Sequence, residues 1–401
     1  MPLNGLPRQI GVGIIAAAAL GGAYAAWRDA FIDVARSSNP AIAYAMRPDD
    51  AATFTAVIDR RSADGKNDPL SAREVQIGRR AVMQSPINRG AVRILGVDAA
   101  VRGDPAADRI MAVADGLSKR DAGTQLWMIE RAVQRNDIAA AITHYHYALT
   151  VHPRLEPVLF PILANAIAEE PIRAALRPYV RRQVRWVSPM LFHAIVHGDP
   201  RNVMRLLFPV ANDVHSDAMD GVNARLISNL ADMGEVTAAR DYALRATRKL
   251  DAAALAQLAA SPTTTDGRLG NLAWSIDPTP GIIASMNEDG GFDLQIDPLA
   301  NGPVLSRILP VVGGRQYRFA MRVTPGQRQS EAAWRWRLSC VPGSGQTPFW
   351  QQEISAGGEA GAFQWDVPVP GNCRGIRFAL SARGGDGQDT ASVSFGQLSF
   401  R

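Results

Sequence analysis

Two histidines four residues apart, His193 and His197 in the stretch SPMLFHAIVHGDP, are the first candidates for chemistry. On a helix opened by Ser188 and Pro189 this spacing sets both imidazoles on one face, as metal ligation requires. The glutamate that follows the first histidine in zinc proteases is absent and no third ligand stands nearby, so helix packing or capping is the competing account. A second cluster, His144-Tyr145-His146-Tyr147, places two imidazoles two residues apart, where they diverge on a helix. His144 and His146 are candidates for a partner-facing patch, against partly exposed structural residues. Trp350 is a candidate sugar-stacking ring, although its alternation with Gln352 and Ile354 leaves its face ambiguous. Trp334, Trp336 and Trp365 alternate with apolar neighbours and are expected in a core. GGDGQD at 384–389 offers loop oxygens to calcium without the full EF-hand pattern, and a solvated turn is the expectation.

Catalytic signatures are otherwise missing. The chain has no G-x-S-x-G elbow and no phosphate-cradling glycine loop, and its loop acids Glu288, Asp289, Glu359, Asp386 and Asp389 cannot be paired by spacing into a glycosidase dyad. No catalytic residue and no cofactor is expected. The two cysteines, Cys340 and Cys373, form an isolated pair, which in an extracytoplasmic chain is a disulfide candidate; independent thiols are the alternative.

The compartment turns on Gln9 to Trp27, an uncharged, Ala-rich stretch that ends in an interfacial-type tryptophan and is followed by Arg28 and Asp29. Its apolar run has the length of a marginal membrane span, and Ala23-Tyr24-Ala25 also fits a signal cleavage site. Residues 10–27 are therefore expected to be a single-pass inner-membrane anchor with the bulk in the periplasm. Secretion to the periplasm after signal cleavage is the alternative.

The 401 residues are 47% hydrophobic and 20% charged, with a formal charge of +5, which suits an ordinary globular chain of two or three domains. Only Lys66, Lys119 and Lys249 are lysines, so arginine carries nearly all the positive charge. The densest basic run, Arg173 to Arg185, stands in no nucleic-acid motif and reads as a solvated face, so no nucleic acid is expected as a partner.

Residues 40–260 follow a helical period, and 272–401 alternate with a period of two. The organisation expected is a tail at 1–9, the anchor or signal at 10–27, a helical region at 28–260, a turn-rich linker at 261–271 and a β-sandwich at 272–401. In the helical region Asn136-Asp137 marks a tight turn followed by Ala141, Tyr145, Ala148 and Pro153, and a second unit runs from Asn223 through Leu226, Leu230 and Gly234 to Ala239, Ala243 and Ala246. These offsets resemble the tetratricopeptide repeat, in which small residues let paired helices approach and an aromatic packs between them. The closing proline of the second unit is missing, and the proline-rich stretch 154–215 departs from the repeat. The resemblance implies stacked helix pairs with a face for a protein partner.

Residues 272–401 read as eight strands, near 292–297, 303–311, 316–324, 332–340, 348–355, 361–369, 375–382 and 391–400, separated by Pro-Gly and Gly-Gly turns. An antiparallel β-sandwich with jelly-roll topology follows, and its fold resembles the sandwiches of carbohydrate-binding modules. The fold class expected is therefore multidomain α + β: a transmembrane helix, a tetratricopeptide-like solenoid and a jelly roll. The whole layout resembles repeat proteins of bacterial envelope or exopolysaccharide assembly. It implies a non-catalytic scaffold that binds an envelope protein partner. The alternatives are a glycan-binding protein that holds polysaccharide on the sandwich, and a polysaccharide hydrolase or lyase.

Overall fold

The computed structural model describes residues 6–63, 69–247, 250–258, 267–326, 331–343, 347–355 and 358–401, with side chains described from residue 19 onward and not at 62–63. The chain forms two compact units, residues 1–155 and 156–401.

The first unit is helical. A helix over Leu6–Ser38 leads into Pro40–Met46, Ala51–Ala63 and Ala72–Gln84, then into two hairpins, Arg89–Val101 with Ala107–Leu117 and Ala122–Gln134 with Ile138–Val151. The helix starts are written in the sequence. Ser71 and Glu74 form a reciprocal capping box, and the Asp121 and Asp137 carboxylates accept from the Thr124 and Ala140 backbone N–H groups at 2.8 and 3.0 Å. Asn136, at φ 56°, makes the tight turn of the second hairpin. Arg93 bridges three helices, pairing with Asp59 at 2.6 Å and Asp121 at 2.7 Å.

The expected inner-membrane anchor over 10–27 is corrected here. Among the described residues no helix is long and apolar enough to cross a membrane. The physical reason is composition: alanine and glycine supply little apolar surface per turn. The helix also runs on past Trp27 through Arg28, Asp29, Asp33 and Arg36, and its Ile32 and Ala35 are buried with Ala43 against the following helix.

The second unit begins with short helices, Glu156–Ala166, Glu170–Arg181, Val187–His197 and Pro200–Leu207, as the prolines of this stretch require. The arginines of the basic run from Arg173 are partly consumed locally: Arg173 is buried and donates to the Ile167 carbonyl at 2.7 Å, and Arg177 pairs with Glu170 at 2.8 Å. A hairpin of Asp217–Asp232 and Val236–Ala246 and a short helix, Ala252–Ala256, follow.

Among the described residues ten strands complete the unit: β1 Ser275–Ile276, β2 Ile282–Met286, β3 Phe292–Ile296, β4 Asn301–Pro310, β5 Gln316–Pro325, β6 Ala333–Val341, β7 Trp350–Ser355, β8 Gly361–Pro368, β9 Gly375–Arg383 and β10 Ala391–Phe400. They form two antiparallel sheets, β1-β4-β9-β6-β7 and β2-β3-β10-β5-β8. Eight of these strands stand where the alternation predicts them. β1 and β2 are additional; they are short and largely exposed, and so carry no alternation. Between the sheets lie Phe292, Phe319, Trp334, Trp336, Phe378 and Phe395, all fully or nearly fully buried.

Cys340 at the end of β6 is bonded to Cys373 ahead of β9, with Cα atoms 5.1 Å apart. One charge enters this interior. Arg307 on β4 is 1% exposed, and its guanidinium donates to the carbonyls of Leu272 at 2.8 Å, Gln257 at 2.5 Å and Leu255 at 2.7 Å. Its carbon Cζ also lies 6.0 Å from the centre of the Trp274 ring. The Trp274 indole N–H donates to the Leu258 carbonyl at 2.9 Å, and Leu258 is itself part of the core. Nearby, Gly234 turns the last long helix hairpin at φ +84°, where a Cβ would collide with the ring of Pro342.

Two stability predictions follow from this packing. Opening the disulfide by Cys340→Ser with Cys373→Ser removes a 33-residue cross-link and should cost about 3–4 kcal/mol in a denaturant titration. Burial pushes the Arg307 pKa down to about 10, so the side chain stays charged at neutral pH. Arg307→Met should lower stability by about 3 kcal/mol, because the two buried carbonyls of Leu272 and Leu255 and the part-buried one of Gln257 lose their donor. An unchanged midpoint would show that those carbonyls are satisfied without it.

Candidate functional site

Each polar or aromatic candidate has a definite place. His193 and His197 share one helix face with ring centroids 4.7 Å apart, and His193 also lies 6.2 Å from the Phe160 ring. Partial burial, and then the neighbouring His197, holds the His193 pKa below the usual histidine range. Among the described residues no group of three or more His, Cys, Asp or Glu side chains is placed to hold a metal ion, so the pair stands without a third protein ligand.

His144 and His146 separate as their spacing requires. His146 is half-buried and lies 3.2 Å from the Thr150 hydroxyl. His144 is buried, with Nδ1 2.8 Å from Oε1 of Gln125, whose amide nitrogen donates to Asp115 at 2.9 Å. A carboxylate can only accept here, which orients the Gln125 amide and assigns the proton to Nδ1. Lys119 pairs with the other oxygen of Asp115. The chain Asp115–Gln125–His144 thus links three successive helices, with His144 buried. Sequence reading could not find this link, because Gln125 carries no signal of its own.

Trp350 opens β7 at a sheet edge and is half-buried. It packs edge-on against Phe319 at 5.8 Å and Trp365 at 5.9 Å, while Trp365 stacks on Phe363 at 5.8 Å. These rings close the side of the sandwich where β7 and β8 are the edge strands.

A different surface forms a concavity. On β5 the inward residues Phe319, Met321 and Val323 alternate with the outward residues Gln316, Arg318, Ala320 and Arg322. On β8, Phe363, Trp365 and Val367 alternate with Gln364 and Asp366. The outward set bounds an open groove of about 640 Å³, lined by Gln316, Arg318, Ala320, Gln364, Asp366, Ser399 and Arg401, with Tyr317 at its end. Its floor depends on a β-bulge. Gly396 pairs with Arg322 and Ser399 with Ala320, so β10 carries one residue more than β5 between the same two rungs. Gln397 absorbs that residue at φ 52°. The bulge bends the strand and keeps Leu398 in the core while Ser399 faces the groove.

The register sets the cross-strand rows. Arg318 lies directly opposite Asp366 on β8, and its backbone N–H donates to the Arg401 carbonyl at 2.7 Å while the Arg401 N–H returns a bond at 3.1 Å. One row therefore reads Arg401, Arg318, Asp366, and the next reads Ser399, Ala320, Gln364. Among the described residues the strands of this outer face present no aromatic ring outward. Low-lying serine and alanine are flanked by long planar amide and guanidinium groups, a wall and floor suited to a hydroxyl-rich ligand held by hydrogen bonds.

The His144 link carries a pH prediction. Burial is the main cause of its lowered pKa, only partly offset by Asp115. The neutral form is thus favoured on folding. This contribution is complete above the unfolded value of about 6.5 and is lost as the pH falls toward the lower folded value. The melting temperature should drop from pH 7.5 to pH 5 in the native chain, and drop less in His144→Gln. Equal drops would remove His144 from the account.

Neither a protein-family model nor a curated relative matches the sequence. Solved structures do show a likeness. One is a carbohydrate-binding module of family 61 in complex with β-1,4-galactotriose, at 11% identity and a TM-score of 0.24, covering 32% of this chain and 87% of that one. A second is a family 16 carbohydrate-binding module, at 12% identity and a TM-score of 0.26, covering 37% of this chain and 99% of that one. The chain is also similar to a Clostridium thermocellum xylanase structure holding a family 22 module with its catalytic module, at 13% identity and a TM-score of 0.23, covering 32% of this chain and 26% of that one.

Proposed function

We propose that this chain is a non-catalytic glycan-binding protein, and that its sandwich, wound as a jelly roll, holds the sugar on the outer face of the β2-β3-β10-β5-β8 sheet. The groove floored by Ala320 and Ser399 and walled by Gln316, Arg318, Gln364 and Arg401 is the observation that carries this reading. Carbohydrates present many hydroxyls that both donate and accept. Planar amides and guanidinium groups answer them without the cost of burying an unpartnered polar group. The groove is open and spans three adjacent strands, a form that suits a segment of polymer. The Cys340–Cys373 bond supports an oxidising, extracytoplasmic setting, where such polymers occur.

In this reading the paired helices of 89–151 are tetratricopeptide-like hairpins. A protein-adaptor role for them rests on their pairing alone, which their own core already explains.

The test is affinity electrophoresis and calorimetry of the full chain against a panel of soluble polysaccharides. Gln316→Ala with Gln364→Ala should weaken binding about tenfold, in line with the loss of one or two hydrogen bonds. Trp350→Ala should lower stability and leave affinity near that of the native chain. Retention of no polysaccharide in the panel, or dependence on Trp350 in place of the two glutamines, would overturn the assignment.

A further inference from the structure

We infer that the glycan taken by this groove is anionic, its charges met by Arg318, Arg401 and Arg322. The inference rests on the reading of the groove as a glycan site and adds the class of polymer.

The argument starts from the row Arg401, Arg318, Asp366. Arg401 and Arg318 exchange both backbone hydrogen bonds, so they stand directly opposite on neighbouring strands. Like charges directly opposite on a sheet face repel. Asp366 answers only part of this. It touches Arg318 through Nε at 3.4 Å, with the two side chains 57% and 59% exposed, an ion pair of small worth in water. Arg401 and Arg322 enter no ion pair among the described residues. Two strand steps beyond the first row, Arg322 adds a further positive charge between Gly396 and Ala362, neither of which bears any charge. Arg315 precedes β5 with its guanidinium 5.6 Å from the centre of the Tyr317 ring.

The groove thus holds Arg318 and Arg401 against Asp366, with Arg322 further along the same face of β5. Of the other carboxylates near this face, Asp293 of β3 lies beyond β10 near Asn287 at 3.3 Å, and the Asp289 side chain packs beside Gly396, the residue opposite Arg322. Arg318 and Arg322 are four residues apart on one strand, on the order of 13 Å. That separation matches charges repeated along a polymer better than a single anion. Guanidinium groups also bind carboxylates and sulfates through paired N–H groups, which gives direction as well as charge. A polyanion laid along β5, between β10 and β8, would neutralise the Arg401–Arg318 repulsion while its hydroxyls meet Gln316, Gln364 and Ser399.

The experiment compares the full chain on polygalacturonate, dextran sulfate, and neutral dextran and galactan at low and high salt. Arg318→Gln with Arg401→Gln is the test variant. Arg383→Gln, an exposed arginine on β9 of the other sheet, is the control for net charge. Circular dichroism and the melting temperature confirm that each variant folds.

The expected result is binding at least tenfold tighter to one or both polyanions than to the neutral polymers, lost on the double substitution and kept by Arg383→Gln. Preference between polygalacturonate and dextran sulfate distinguishes carboxylate from sulfate as the charged group. Equal or tighter binding of a neutral polymer overturns the inference and leaves the glycan reading standing. Equal loss in the Arg383 control shows attraction by overall charge and overturns it too. Retention of none of the four polymers removes both.

Discussion

Arg307 is the constraint around which the second unit is arranged. Strand alternation aims it to the same side as Leu305 and Leu309, into an interior otherwise built of aromatic and aliphatic side chains. A guanidinium there must find acceptors, since an unpaired buried charge is far more costly than a neutral polar group. It finds them in three backbone carbonyls from the chain segments that precede the first strand. Those segments supply Leu258 and Trp274 to the same core. The helical end of the unit and the sandwich are therefore joined through this charge and its acceptors, beside an Arg377–Asp232 ion pair at 2.6 Å. A fragment cut between the helical and alternating parts would lose the Leu255 and Gln257 carbonyls together with Leu258.

The groove lies on the opposite sheet and obeys a different logic. The core below it is a continuous set of rings around Phe319, which touches Trp336, Trp350, Trp365 and Phe378 at 5.6–5.8 Å. That rigid support lets a single inserted residue at Gln397 re-aim the end of β10 without loosening the packing beneath. The surface so formed is polar and carries its specificity in side chains on three adjacent strands. Strand register fixes their spacing, leaving little to loop conformation.

The sandwich was legible in the sequence because its inner strands each have one buried face. Tyr317, Phe319, Met321 and Val323, or Phe363, Trp365 and Val367, alternate cleanly with polar residues. The disulfide pair was legible for want of other cysteines. The first two strands were not, being short and exposed at the margins of the sheets. The groove was not legible either. The outward residues of a strand are polar whether or not they form a site, and only the register places Arg401 beside Arg318. The bulge that supplies Ser399 had no marker, since Gln397 is not a residue that announces a left-handed backbone. The histidine spacings pointed to chemistry; the structure buries His144 in a link between helices, and among the described residues no third ligand stands with His193 and His197. The apolar stretch near the start of the chain misled most, because length and absence of charge stood in for apolar surface.

The strand order has a consequence for how this protein comes into being. β9 lies between β4 and β6, and β10 lies between β3 and β5, so the last two of the described sandwich strands occupy central places in the two sheets. While a ribosome is still making them, β3 and β5 have no shared neighbour, nor have β4 and β6. Pairing between distant segments is slow because the intervening loop must be closed first. The sandwich therefore cannot be zipped up progressively behind the emerging chain. The groove in particular, which needs Ser399 of β10 beside β5, forms only once that later strand has entered the sheet.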